Sequence, residues 1–135
     1  MPRYVILEHD WPQKHWDFML EVGDVLQTWR LPTAPVANTD ISAEKTFDHR
    51  LMYLDYEGPI SAGRGSVARW DAGLYQVIVE ESSAGNERSR ARSKRDPIDR
   101  RVIQLAGKRL EGALEMTYQE ETDWTFRFFT EERRC

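Results

Sequence analysis

The strongest constraint on this chain is the period of its apolar residues, which alternate one in two far more often than they recur at helical spacing. In an extended strand successive side chains point to opposite faces, so the pattern specifies strands with one face turned inward. His15 to Glu21 is the cleanest case. Trp16, Phe18 and Leu20 fall on one side; His15, Asp17, Met19 and Glu21 fall on the other. Tyr4 to Leu7 reads as the strand before it, across a proline-bearing turn at Asp10 to Lys14. Val25 to Leu31 reads as the returning arm of a hairpin that turns at Gly23-Asp24. Pro32 to Asp40 reads as loop, Phe47 to Tyr56 as strand or irregular chain, and Gly58 to Gly65 as a glycine-rich loop. Ser66 to Trp70 and Leu74 to Glu80 are predicted strands around a turn at Asp71-Ala72-Gly73. Val102 to Leu105, Leu110 to Tyr118 and Trp124 to Phe129 complete the set. A helix start is predicted near Ser42, an N-cap residue type. Many short strands with regular turn signals predict a mainly β sandwich or barrel in a single domain spanning residues 1–135.

Composition narrows the class. Hydrophobic residues make up 40% and charged residues 31% of the 135, a balance suited to one soluble core. No apolar run approaches the roughly 20 residues that span a bilayer. The N-terminus is charged too early for a signal peptide. The single cysteine, Cys135, has no partner for a disulfide within the chain, so a cytoplasmic setting without membrane partners is expected. The net charge of −4 argues against a general nucleic-acid binder. Basic residues are nevertheless concentrated at Arg88, Arg90, Arg92, Lys94, Arg95, Arg100 and Arg101, and residues 81–100 are expected to form a long, flexible basic surface loop. That loop reads either as a contact to a phosphate backbone or as a solvated insertion.

The chemistry-bearing residues cluster near the N-terminus. His15 and Asp17, two apart on one strand, share a face, and His9 ends the preceding strand. Two imidazoles and a carboxylate suit manganese, iron or zinc and leave positions open for substrate. A second pairing of the same residue types, His15 and Asp17 with the distant His49, mimics the facial triad of iron oxygenases.

His9-Asp10 and Lys14 to Glu21 resemble the HD…HYDFRLE signature of the 3′-phosphoesterase domain of bacterial DNA ligase D. Four further segments match that family in order: Leu26 to Pro32, Asp48 to Gly58, Ser66 to Gly73 and Leu105 to Gly112. The resemblance implies a small antiparallel β-barrel with its active site on one open face. It implies manganese held by His9, His15 and Asp17, and phosphate contacts from His49 and Tyr53, with His15, His49 and Tyr53 as the catalytic set. It also implies trimming of DNA or RNA-tipped DNA 3′ ends, by loss of a terminal ribonucleoside and then a 3′-phosphate, beside a separately encoded ligase or polymerase. If His49 and Tyr53 lie in one extended segment, their spacing of four puts them on one face.

The chain departs from the family pattern where phosphate should be gripped. Met19 stands in place of an arginine and Thr33 in place of a lysine; Arg50 replaces a proline, and the loop Ala62 to Gly65 is short. Arg30, Arg50 and Arg64 are the cations available to supply the lost charge. The alternative is a module that binds metal and nucleic-acid ends with little or no turnover. Trp11 is positioned in sequence to stack on a base, whereas Trp16, Trp29, Trp70 and Trp124 are expected to pack the core.

Overall fold

In the computed structural model, which describes residues 1–82 and 98–132, nine strands form one antiparallel sheet. They are β1 (Arg3–His9), β2 (His15–Val22), β3 (Val25–Leu31), β4 (Asp40–Arg50), β5 (Gly58–Pro59), β6 (Ser66–Glu81), β7 (Arg100–Gly107), β8 (Leu110–Glu120) and β9 (Asp123–Glu132). The sheet runs β1-β2-β3-β4-β9-β8-β7-β6, and β6 pairs with β1 as well, so the order closes on itself in a ring. Closure leaves no long unpaired edge among these eight strands. The expected mainly β class therefore holds, with a single 3-10 turn, Leu51–Leu54, as the helical element among the described residues.

Side-chain alternation divides the apolar residues into two clusters. Tyr4, Ile6, Phe18, Leu20, Trp29, Leu31, Phe126 and Phe128 belong to the main core, and Trp16, Trp70 and Trp124 pack against it as expected. Phe18 sits at its centre, with the Phe126 ring 5.5 Å away edge-on and the Trp29 ring 6.4 Å away. The opposite faces of β1 and β2 are buried too. Val5, Leu7 and Met19 meet Leu26, Leu54 and Val67 in a second cluster, roofed by Leu51, Tyr53, Tyr56 and Ile60. A strand covered on both sides has no solvated face, and here the second cover is the chain between β4 and β6.

Three local expectations are overturned. Ser42 starts no helix. It lies within β4, whose flanking Ile41 and Ala43 point inward while the strand pairs with β3 and β9 on its two edges. The tertiary pairing outweighs an N-cap residue type. Asp71-Ala72-Gly73 is no turn but the middle of β6, which runs 16 residues without a break. The bend needed there comes from a register shift against β1 between Ile6 and Leu7. Third, Arg100 and Arg101 belong to β7 rather than to a loop. Arg100 pairs with Glu81 (3.1 Å) and Glu115 (2.9 Å), and Arg101 with Glu80 (3.2 Å). The remaining basic cluster, Arg88 to Arg95, lies outside the described residues.

Asp71 is the anchor that lets β6 continue. Its buried carboxylate accepts from the Tyr4 hydroxyl at 2.6 Å and from the Arg109 and Leu110 amides at 2.7 and 3.1 Å. It thereby ties the β7–β8 turn to β1. Gly107 is required beneath it, since a Cβ there would collide with the Tyr4 hydroxyl and the Asp71 carboxylate. Replacing Asp71 by alanine should strand three donors and cost about 3 kcal/mol, whereas Tyr4→Phe should cost about 1 kcal/mol. Urea denaturation of the two variants checks the difference.

Candidate metal centre and adjoining cleft

The pairing of β1 with β2 sets His9 directly opposite His15 and Leu7 opposite Asp17. Because residues two apart share a face, His9, His15 and Asp17 converge on the side away from the main core. Their ligand atoms lie within 4.8 Å of one another. His15 Nε2 is 3.3 Å from Asp17 Oδ2, and His9 Nδ1 is 3.7 Å from the same oxygen. Atoms bound at about 2.0–2.2 Å to one ion stand roughly 3–4 Å apart, so the spacing suits a divalent cation.

The hydrogen bonds fix which nitrogens are available. His15 Nδ1–H donates to the Gln13 carbonyl at 2.9 Å, which leaves Nε2 with its lone pair. That buried Nε2 has no hydrogen-bond partner. His9 Nε2–H donates to the Arg64 carbonyl at 2.8 Å and leaves Nδ1 turned to Asp17. Imidazoles that bind metals commonly give their other N–H to a carbonyl or carboxylate, and both do so here. A buried lone pair, a nearly buried carboxylate and a second aligned lone pair together fit a metal better than they fit an isolated ion pair.

Electrostatics point the same way. Burial pulls the His15 imidazolium down, but the Asp17 carboxylate beside it and the Gln13 carbonyl more than offset this, and its pKa ends above the usual histidine range. A proton and a metal therefore compete for the same Nε2 lone pair, and metal binding displaces the proton where it is present. For His49 burial prevails, and its pKa is lowered. Its Nδ1–H lies 3.1 Å from the Phe47 carbonyl and 2.9 Å from Thr28 Oγ1, whose own proton goes to the Leu26 carbonyl. Burial thus favours the neutral ring, and Nε2 is left for a ligand.

The trio opens on a cleft of about 350 Å³. His9 and Asp17 line it together with Arg30, His49, Arg50, Tyr53 and Arg64, so the expected site residues other than His15 face one space. His15 lies beside Asp17 and lines a neighbouring cavity with Lys14, Arg30 and Glu44. One expectation about geometry fails. Tyr53 does not extend β4 past His49, because the chain coils into the 3-10 turn after Arg50. The tighter turn still brings the rings together edge-on, with centroids 5.7 Å apart. His49 lies outside the three-ligand group, contrary to an oxygenase-type triad. Met19, 2% exposed, packs among Val5, Leu7 and Leu26 in the cleft floor. Thr33 lies exposed and donates to the Ala34 carbonyl.

Two residues, one in the cleft and one beside it, carry no role from the motifs. Phe47 is 75% exposed and stacks on the His49 ring at 4.6 Å. Asp10 accepts from the Ser66 amide at 2.8 Å and so binds the 60–65 loop to the β1–β2 turn. Gly65, at φ +76, lies against that clamp, where a Cβ would strike the Asp10 carboxylate and Trp11 Cβ. The motif match included Asp10 but offered no signal for what it holds.

The family model of the DNA Ligase D 3′-phosphoesterase domain matches residues 7–118. Among curated proteins, the multifunctional non-homologous end joining DNA repair protein LigD of Mycobacterium tuberculosis is 40% identical over 79 residues, 55% of this chain. The corresponding protein of Pseudomonas aeruginosa is 36% identical over 81 residues, 56% of the chain. That of Mycolicibacterium smegmatis is 26% identical over 127 residues, 90% of the chain. The matched stretches cover 10%, 10% and 16% of those proteins, so the chain corresponds to a small part of each.

Manganese should raise the melting temperature of the wild-type chain and leave that of His15→Ala unchanged. Because the raised pKa favours proton over metal on His15, the manganese-induced increment should grow as pH rises through and beyond about 6.5, the ordinary imidazole value. Thermal melts with and without manganese across that range check the sign. Gly65→Ala should cost about 1–3 kcal/mol and weaken manganese binding, since the carbonyl that orients His9 precedes it. Melts and metal titration of that variant check both effects.

Proposed function

The chain belongs to the DNA ligase D 3′-phosphoesterase domain family, and on that premise we propose that it trims 3′ ends of DNA or RNA-tipped DNA with a divalent metal, manganese foremost. The observation that carries the proposal is one shared space: His9 and Asp17 of the trio line the same cleft as His49, Tyr53 and three arginines. Such trimming would leave the 3′-hydroxyl that a ligase needs, in keeping with the end-joining role in the relatives' names.

The reaction is hydrolysis of a phosphoester. Water adds to phosphorus, the bond to the departing sugar oxygen breaks, and that oxygen takes a proton. A metal bound by His9 Nδ1, His15 Nε2 and Asp17 would supply Lewis acidity at the phosphate. The protein's own groups do the rest. Phe47 and Thr28 hold the His49 ring so that Nε2 meets substrate. An approaching phosphate favours the protonated imidazole, which can then give its proton to the leaving oxygen. Tyr53, edge-on to that ring, offers a hydroxyl to a non-bridging oxygen. Arg30, Arg50 and Arg64 bring positive charge to a cleft whose floor has lost it at Met19. Arg64 is held by the Ser61 carbonyl and hydroxyl at 2.9 and 3.1 Å, which limits its reach. Arg30 and Arg50 are exposed and are the stronger candidates for the phosphate contact.

One observation favours a second reading. Met19 is packed in an apolar cluster, so no donor reaches phosphate from that strand position. A protein without that grip would bind ends and metal but turn over slowly.

A 5′-labelled primer-template ending in one ribonucleotide or a 3′-phosphate separates the two readings. Trimming in manganese should be abolished by chelator and by His15→Ala. It should fall about 100-fold in His49→Ala and about tenfold in Tyr53→Phe. Metal binding without any release of nucleoside or phosphate would sink the phosphoesterase reading in favour of the binding module.

A further inference from the structure

Phosphate chemistry accounts for the cations and imidazoles of the cleft, but not for its apolar walls. Two large rings stand on it partly in solvent: Phe47 at 75% and Trp11 at 43% exposure. Single exposed apolar residues are ordinary. These two share one cleft, and the groups suited to phosphate lie between them. Trp11 follows β1 and Phe47 sits on β4, while Asp17 on β2 and Arg30 on β3 occupy the strands between. Two to three strand spacings separate the backbone positions that carry them, on the order of 10–14 Å. That span is too wide for one base to touch both rings. It accommodates a phosphate with a base on either side.

The Phe47 ring is held in place, and so is the base of the Trp11 side chain. Phe47 lies nearly parallel to His49, at an interplanar angle of 16°. The imidazole is itself fixed by Thr28 and the Phe47 carbonyl. Trp11 follows Asp10, which clamps the β1–β2 turn to Ser66, and its Cβ abuts Gly65. Ordering a pre-positioned ring costs little on binding, and a flat apolar face in a cleft lined by arginines matches a base attached to phosphate.

Resting on the phosphoesterase reading for its substrate class, we propose that Phe47 and Trp11 are stacking platforms for the two nucleobases flanking the scissile phosphate. A base stacked on Phe47 extends the pile that begins at His49, which sets the phosphate against the imidazole.

The test is equilibrium binding of a 5′-labelled, all-deoxy single strand ending in a 3′-hydroxyl, in manganese. Such a strand is a product rather than a substrate, so the measurement needs no turnover. Removing the last two bases as abasic sites should weaken binding to wild type by roughly fivefold to 100-fold. Phe47→Ala and Trp11→Ala should each weaken binding to the normal strand by about tenfold, with less further loss on the abasic one; Phe47→Tyr and Trp11→Phe should restore it. Equal affinity for normal and abasic strands in wild type would overturn the proposal, as would alanine variants that bind like wild type. Both results read separately from trimming. Base-dependent binding without trimming would keep the platforms and remove the enzyme. Trimming without base dependence would keep the enzyme and remove the platforms.

Discussion

The site depends on β1 and β2 being buried on both faces. One face of each strand enters the main core through Tyr4, Ile6, Phe18 and Leu20, and the other enters the smaller cluster through Val5, Leu7 and Met19. A residue near the ends of these strands has its backbone fixed by ladder pairing on both edges of β1 and of β2. His9, His15 and Asp17 occupy that position. The smaller cluster also brings the 3-10 turn and the 58–65 segment over the strands, and with them Tyr53 and Arg64. Packing of the second face therefore builds the cleft.

Much of this was legible in the sequence because strand period is a local rule. The alternation from His15 to Glu21 puts Trp16, Phe18 and Leu20 on the main core and His15 and Asp17 on the opposite face, and the structure keeps that division, with Met19 buried in a second cluster on the ligand face. The errors came where distant pairing decides. Ser42 offers the residue type of a helix start, yet β3 and β9 claim the segment from both sides. Asp71-Ala72-Gly73 has turn composition, but its carboxylate is spent on Tyr4 and on two amides nearly forty residues away. No local window contains those partners. Phe47 is apolar and carries no chemistry of its own, so its stacking on His49 is evident only from the ring geometry.

The cleft also shows how a charge deficit and a packing demand share a position. Met19 lies where a cation would serve phosphate, and there it fills space between Leu7 and Leu26. A buried arginine at such a point must be paired or hydrogen bonded to be tolerated. The arginines of this chain stand instead on the rim, at Arg30 and Arg50, where water offsets their desolvation. Charge on the rim acts at longer range and is screened by salt more than charge in a floor.

The two carbonyls that accept from His15 and His9, at Gln13 and Arg64, belong to the main chain. Neither residue's side chain takes part in orienting an imidazole. Substitutions at positions 13 and 64 can therefore drift in charge and size while the lone pairs of His9 and His15 keep their aim. The loops that recognise substrate are thus free to diversify at the same residues that hold the chemistry steady.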